Sequence, residues 1–187
     1  MSPLGLGCKR RRPAREKRRK RRVPSPRVRD LTPSQKGAVA EAAITAAAIE
    51  LGLTVLRPLC EGRRYDLVID LEPRLLRVQC KLARHLSGVV AVHLRTSRLT
   101  PAGYVRTSYA PTEVDAIGVY SAALHRSFLV PIAEATGRQG IHLRIDPARN
   151  NQAQGIKWAR DYEFEAVITR MRSLIRTRRG GYTLSPT

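Results

Sequence analysis

The sequence predicts one α/β (α+β) domain with a mixed sheet, and three observations support this class. A capped helix is predicted over residues 32–50, short runs of alternating apolar and polar residues follow it, and a second helix is predicted over residues 162–178. The length of 187 residues fits one domain with a core of its own and an additional tail.

The first helix has clear signals at both ends. Thr32 and Gln35 are spaced as a capping box, with Pro33 at the first helical position. Gly52 is placed to end the helix. A small-residue apolar face suited to close packing on a sheet is predicted at Val39, Ala43, Ala46 and Ala47. Glu41 interrupts this apolar stretch, and its ordinary explanation is a surface salt bridge.

The strands are predicted from period-two alternation of apolar residues. A tight turn at residues 71–74 joins two of them into a hairpin, and residues 97–112, with two prolines and a glycine, are predicted to be a long loop. The predicted strands are residues 53–58, 65–70, 75–82, 89–96, 116–121, 127–132 and 141–145.

The hairpin carries the chemical signal. Gln79 and Lys81 are two residues apart on one strand, so they point to the same face, and Asp66 at the start of the preceding strand lies beside them. Lys81 is the only lysine preceded two residues earlier by Asp, Glu or Gln. Asp66 and Lys81 could also form a simple cross-strand ion pair.

These residue types suit metal-assisted phosphodiester hydrolysis. Mg²⁺ prefers hard oxygen ligands, which Asp66, Glu41, the Gln79 amide and the Cys80 backbone carbonyl would supply. Lys81 would orient the attacking water or stabilise the charge that develops on phosphorus. The predicted catalytic residues are therefore Asp66, Gln79, Lys81 and Glu41.

The formal net charge of +20 indicates a polyanionic partner, chiefly nucleic acid. Residues 1–30 carry 13 Lys/Arg against 2 acids, which leaves +11, and residues 31–187 carry 22 against 13, which leaves +9. Residues 1–30 are predicted to be a disordered basic tail that is either a DNA-binding arm or the product of a start codon assigned too far upstream. The candidate DNA contacts are Lys36, Arg84, Arg95, Arg98, Arg106, Asn150, Asn151 and Gln152.

The remaining composition indicates an intracellular protein. The three cysteines are scattered without a CxxC pair, which favours neither a zinc site nor a disulfide framework and indicates a reducing cytoplasm. No apolar run is long enough to span a membrane. The four histidines lack metal-ligand spacing and are interpreted as surface or structural residues.

Residues 32–164 resemble the PD-(D/E)XK nuclease superfamily, and in particular the group I intron-associated endonucleases with a Gln-x-Lys active site. The resemblance rests on five segments of this chain: residues 35–37 with Glu41, residues 65–69, residues 78–81, residues 113–120, and residues 150–152 with 159–162. It implies a restriction-endonuclease-like αβββαβ core with a mixed central sheet flanked by helices. Many superfamily members carry Asp or Glu where Gln79 stands, and a neutral ligand should hold a metal less tightly.

The resemblance also implies a function: metal-dependent cleavage of double-stranded DNA, with Mg²⁺ as the cofactor and Mn²⁺ expected to substitute. Cutting both strands needs two active sites, so a homodimer or homotetramer is expected. A Holliday junction resolvase-like nuclease and a DNA-binding protein that has lost catalysis are the alternatives. We expect residues 31–165 to form the nuclease-like domain and residues 166–187 an Arg-rich helix and tail.

Overall fold

The structure, a computed structural model, describes residues 30–60, 62–94, 96–100, 103–147 and 154–179. The basic segment 1–29 lies outside these residues, so its predicted role stays a prediction. None of the helices in the described ranges is long and apolar enough to cross a membrane. In chain order the elements are α1 (Pro33–Glu50), β1 (Val55–Leu56), β2 (Leu67–Asp70), β3 (Leu75–Leu82), β4 (Arg84–Leu86), β5 (Val89–His93), β6 (Thr96–Thr100), β7 (Gly103–Thr107), β8 (Ala116–Ser121), β9 (Arg126–Pro131), β10 (Gly140–Arg144) and α2 (Phe164–Arg179).

Five strands form the central sheet, in the order β1-β2-β3-β8-β9. β3 and β8 run parallel, with Val78 opposite Ala116, and the other neighbours are antiparallel. β10, β5 and β4 form a smaller antiparallel sheet, and β6 pairs with β7 as a separate hairpin. A mixed sheet with helices packed on it confirms the predicted fold class.

The start and end of α1 follow the sequence signals. The Thr32 hydroxyl accepts a hydrogen bond from the Gln35 N–H at 3.2 Å, and the Gln35 side chain accepts one from the Thr32 N–H at 2.9 Å. Pro33 occupies the first turn, where its missing N–H costs nothing. Gly52, with a φ of 71°, ends the helix as predicted.

The predicted buried face of α1 is wrong by about one position. Ala40, Ile44 and Ala48 are the buried residues of this helix, whereas Ala46 is exposed. The helix is apolar on most sides, so periodicity alone could not select the face. Gly118 on β8 decides it, because a Cβ at that position would lie 3.2 Å from Ile44, and its absence lets α1 approach the sheet.

The central sheet has a core on each face. On one face α1 and α2 pack against the sheet, around Ile44, Leu67, Val78 and Ile168. On the other face the small sheet packs against it, around Val90, Ile117, Phe128 and Leu143. Successive residues of β3 and β8 therefore point to different layers, which places the polar residues Gln79 and Lys81 of β3 on the side opposite the helices.

The prediction of a long loop over residues 97–112 is wrong. β6 and β7 pair there from Thr96 opposite Thr107 to Thr100 opposite Gly103, which has a φ of 109°. Gly103 is the first residue of β7, and the Thr, Tyr and Val residues of this segment favour strands. In the described residues, the crossover from β3 to the parallel strand β8 thus runs through strands and not through the helix that the αβββαβ order implies.

Most other predicted strands are present with shifted ends. The bounds of β3 and β8 agree with the prediction, whereas β1 covers only two of the six residues predicted. The sequence pattern does not indicate β4, because its three residues are all exposed and show no alternation. The two hairpin-like strands of residues 116–132 and the second helix are confirmed.

Candidate active site

Asp66 is held against β3 where that strand pairs with β2. Asp66 directly precedes β2, whose first residue, Leu67, pairs with Val78, and the Asp66 N–H donates to the Val78 carbonyl at 2.9 Å. Asp66 Oδ2 accepts hydrogen bonds from the Cys80 N–H at 2.7 Å and from the Gln79 side-chain amide. One carboxylate is thus fixed by both the backbone and a buried side chain of the neighbouring strand.

Burial makes the Asp66 carboxylate a costly charge. Desolvation raises the pKa of Asp66, and the nearby carboxylate of Glu41 acts in the same direction. The Cys80 N–H, Lys81 and Arg57 act against this rise without cancelling it. A metal-free site therefore holds negative charge that a bound cation would stabilise.

Lys81 lies on the same strand face as Gln79, at the edge of the second core. Burial lowers the pKa of the Lys81 ammonium, and Arg64 adds to this effect while Asp66 opposes it. The Lys81 Nζ lies 5.4 Å from the centre of the Tyr109 ring. Asp66, Gln79 and Lys81 are thus brought together as the sequence predicts.

Glu41 reaches this region from α1. It forms an ion pair with Arg57, which follows β1, and Glu41 is the more buried partner. The ordinary explanation of a helical Glu, a salt bridge, is therefore correct for this residue. Its carboxylate nevertheless lines the same cleft as Asp66, because the N-terminal half of α1 forms one wall of that cleft.

The cleft has a volume of about 940 Å³ and lies between α1, the end of β3 and the β4–β5 hairpin. Its wall combines acidic and basic groups. The residues that carry this chemistry are Lys36, Glu41, Asp66, Gln79, Lys81 and Arg84. Such a cleft offers both oxygen ligands and cations, which suits a phosphate-bearing substrate.

The predicted DNA contacts divide into two groups. Lys36 and Arg84 line the cleft, and Arg84 is exposed. Arg98 lies on β6 and Arg106 on β7, and their side chains fall outside the described part of the chain. Outside the described residues altogether lie Arg95, Asn150, Asn151 and Gln152.

The donor atoms fit a small, hard cation. The Gln79 amide nitrogen donates to Asp66 Oδ2 and lies 3.4 Å from the Cys80 carbonyl oxygen. These two oxygen atoms therefore face the same point, the NH₂ group of Gln79. Glu41 adds a carboxylate to the cleft wall. Within the described residues no group of three His, Cys, Asp or Glu side chains could hold a metal, so a cation here would depend on the neutral oxygens of Gln79 and Cys80.

The Cys80 sulfur has no part in this arrangement. Its side chain packs in the core under the helices, and desolvation strongly raises the pKa of the Cys80 thiol. A neutral buried thiol is neither a nucleophile nor a metal ligand. Only the backbone of Cys80 contributes to the site.

Several residues of this region were not indicated as site residues by the sequence. His85 and His93, interpreted as surface or structural residues, are exposed on the cleft wall. Arg64 and Tyr109 lie beside Lys81. Arg64 could have been found from its place just before Tyr65 and Asp66, whereas Tyr109 sits at the end of the segment predicted to be a loop.

A partly buried Asp and Lys lie at one end of the mixed sheet, and a Glu from the preceding helix lines the same cleft. The sequence model of the family described as PD-(D/E)XK endonuclease matches residues 31–165, and the chain belongs to this family.

A solved structure described as a bacterial homing endonuclease, I-Ssp6803I, is similar in fold. It superposes with a TM-score of 0.64 at 25% sequence identity, and the match covers 79% of this chain and 99% of that chain. No curated protein matches the sequence. The chain is therefore an endonuclease-family protein whose described domain has the fold of a homing endonuclease.

Proposed function

We propose that this protein is a metal-dependent endodeoxyribonuclease that hydrolyses phosphodiester bonds in double-stranded DNA, in the manner of a homing endonuclease. The observation that carries the proposal is the Asp66 carboxylate, held by the Cys80 N–H and the Gln79 amide in a cleft that also contains Glu41 and Lys81. Membership of an endonuclease family supports the reaction type.

The proposed reaction needs a divalent metal ion. Asp66, Glu41, the Gln79 amide oxygen and the Cys80 carbonyl would hold one divalent cation, Mg²⁺ or in its place Mn²⁺. When bound, such a cation polarises a phosphate oxygen and makes water more acidic. Gln79 can present its oxygen only if its amide turns away from the hydrogen bond to Asp66.

The chain's own residues orient the reacting groups. Lys81 donates hydrogen bonds to the attacking water or to a non-bridging phosphate oxygen, and it opposes the negative charge that develops on phosphorus. The water oxygen bonds to phosphorus as one P–O ester bond breaks; the water loses a proton to solvent, and the departing oxygen takes one up. The partly buried position of Lys81 strengthens its electrostatic effect. Asp66 is already held rigid by β3, so little reorganisation is needed.

DNA binding follows from the charge of the domain and the cleft wall. The net charge of +20 favours a polyanion, and Lys36 and Arg84 line the cleft, where they could contact phosphates. Two cuts on opposite strands need two copies of the site, so we propose a homodimer or homotetramer. We place the protein in the cytoplasm, on DNA.

The test is a cleavage assay with plasmid, linear duplex and four-way junction DNA, in Mg²⁺ or in EDTA. We expect Mg²⁺-dependent cutting of duplex DNA that is abolished in Asp66→Ala and reduced to a slow residual rate in Lys81→Ala. The control is Arg74→Ala, which removes an exposed cation remote from the cleft. If no substrate is cut while both variants bind DNA like the parent, the protein is a non-catalytic DNA-binding protein; cutting of the junction alone would favour a resolvase.

A further inference from the structure

Tyr109 is a buried aromatic residue beside the proposed active site. It lies between β7 and β8, is only 4% exposed, and packs in the second core with Val90 and Val114. Its hydroxyl is buried and has no hydrogen-bond partner in the described part of the chain. Buried tyrosine hydroxyls normally have a hydrogen-bond partner. Because this hydroxyl has none among the described residues, hydrogen bonding does not explain the presence of a tyrosine at position 109.

The ring of Tyr109 lies against two cations. Lys81 Nζ is 5.4 Å from the ring centre, and the Arg64 guanidinium carbon is 4.9 Å from it. Both distances are within the range of cation–π attraction, which strengthens where water is excluded. The ring therefore provides a favourable surface for the ammonium of Lys81.

Hydrogen bonds on both sides hold this ring in place. Arg64 donates from Nη2 to the Ser108 carbonyl at 2.8 Å and from Nε to Glu113 Oε2 at 3.2 Å. The same Glu113 oxygen accepts the Ala110 N–H at 3.2 Å. Ser108 and Ala110, the chain neighbours of Tyr109, are thus linked by hydrogen bonds through Arg64 and Glu113 to the segment just before Asp66.

We infer that Tyr109 is a positioning residue for Lys81, and this inference rests on the function proposed above. A lysine side chain has four rotatable bonds, and a displacement of its ammonium by about 1 Å is enough to cost roughly 10²-fold in rate. An aromatic face attracts the ammonium without accepting its N–H groups. Within the described residues the Lys81 side chain makes no hydrogen bond or ion pair, so its three N–H donors remain for water or phosphate.

The test is a double-mutant cycle on the full chain, with single-turnover cleavage of duplex DNA at saturating enzyme. We expect Tyr109→Leu to lower the cleavage rate by about 10-fold or more and to change the Kd for DNA in EDTA by less than about 3-fold. Tyr109→Phe should stay within about 3-fold of the parent rate, because it keeps the ring. Tyr109→Leu added to Lys81→Ala should cause no further loss, because Tyr109 acts through Lys81.

Val114→Ala is the matched control, since it removes buried volume from the same core without touching the ring surface under Lys81. Thermal unfolding of every variant separates loss of folding from loss of rate. Additive losses in the double variant, or a Phe variant as slow as the Leu variant, would overturn the inference.

A spectroscopic measurement separates this inference from the proposed function. The ring current of Tyr109 should shift the NMR signals of the Lys81 ε-methylene in the parent and in Tyr109→Phe, but not in Tyr109→Leu. If the parent cuts no DNA, the proposed function fails while this shift still reports the contact. An unshifted Lys81 signal in the folded parent would contradict the positioning role whether or not DNA is cut.

Discussion

Asp66 Oδ2 accepts the backbone N–H of Cys80 at 2.7 Å, across the end of the β2–β3 pairing. The β2–β3 pairing ends at Leu67 and Val78; just beyond it the Asp66 N–H donates to the Val78 carbonyl, and the Asp66 carboxylate accepts the Cys80 N–H. The same side chain thus ends the ladder and faces the cleft. Its position is set by sheet geometry and not by a flexible loop, which favours a rigid site.

Asp66→Asn should stabilise the metal-free protein. Desolvation raises the pKa of Asp66, so above its usual value of 3.8 the ionised side chain costs folding free energy. An amide keeps an oxygen for the Cys80 N–H without the charge. We expect a rise in the free energy of unfolding of about 1 kcal/mol in EDTA.

The measurement is urea unfolding at pH 7, with and without Mg²⁺. Asp70→Asn is the control, because Asp70 is the last residue of β2 and accepts the Glu72 N–H at 2.9 Å outside the cleft. Mg²⁺ should stabilise the parent and leave Asp66→Asn unchanged. If Asp66→Asn is less stable than the parent in EDTA, the ionised Asp66 carboxylate does not lower the free energy of unfolding as we expect.

Gln79→Glu should make stability depend on metal. The amide of Gln79 donates to Asp66, whereas an ionised Glu cannot donate and adds a like charge. In EDTA we expect the free energy of unfolding to fall by about 1–3 kcal/mol. Mg²⁺ should raise the free energy of unfolding of Gln79→Glu by more than it raises that of the parent, because a carboxylate binds the cation more tightly than an amide.

Gln35→Glu is the matched control for this change. It adds the same charge, and a Glu at that place still accepts the Thr32 N–H in the capping box. Its stability should be near that of the parent in EDTA and in Mg²⁺. Equal responses of the two variants to Mg²⁺, followed by calorimetry, would argue against a cation at Gln79.

Asp115→Asn should remove an acid-sensitive contribution to stability. Burial alone would raise the pKa of Asp115, but hydrogen bonds from the Arg77 backbone at 2.8 Å and its Nε at 2.9 Å outweigh it, and the pKa lies below the usual 3.8. Because the pKa of Asp115 is lower in the folded state, its ionised carboxylate stabilises the fold above pH 3.8. This contribution to the free energy of unfolding is lost as the pH falls through the folded pKa.

The variant should therefore lose about 1–3 kcal/mol at pH 7, and its difference from the parent should shrink as pH falls below 3.8. Unfolding curves between pH 7 and pH 3 measure this difference. Asp161→Asn, at an exposed acid 3.8 Å from Arg160, serves as the control and should change little. A pH-independent difference for Asp115→Asn would exclude the charge as its cause.

Gly118→Ala should destabilise the domain. The added Cβ would lie 3.0 Å from Val78 Cγ1 and 3.2 Å from Ile44, inside the interface of α1 and the sheet. We expect a loss of about 1–3 kcal/mol from overpacking, measured by urea unfolding. Gly37→Ala on α1, where the nearest atom would be 3.9 Å away, should instead gain about 0.5–1 kcal/mol from helix propensity. If both variants change the free energy of unfolding in the same direction, Gly118 is not needed for the close approach of α1 to the sheet.

The sequence by itself determined the local parts of this protein. The capping box of Thr32 and Gln35, the β2–β3 hairpin and the alternation of Gln79 and Lys81 depend on residues close in the chain, and backbone periodicity is sufficient to predict them. The resemblance to an endonuclease family came from those same local segments, and the family match over residues 31–165 confirms it.

Only the tertiary structure decided which distant residues meet at this site. α1 turns Ile44 toward Gly118 and Glu41 toward the cleft because a glycine on β8 permits the approach. Tyr109 reaches Lys81 because a β-hairpin occupies the segment predicted to be a loop. These contacts depend on packing between elements far apart in the chain, and neither residue periodicity nor turn residues encode that packing.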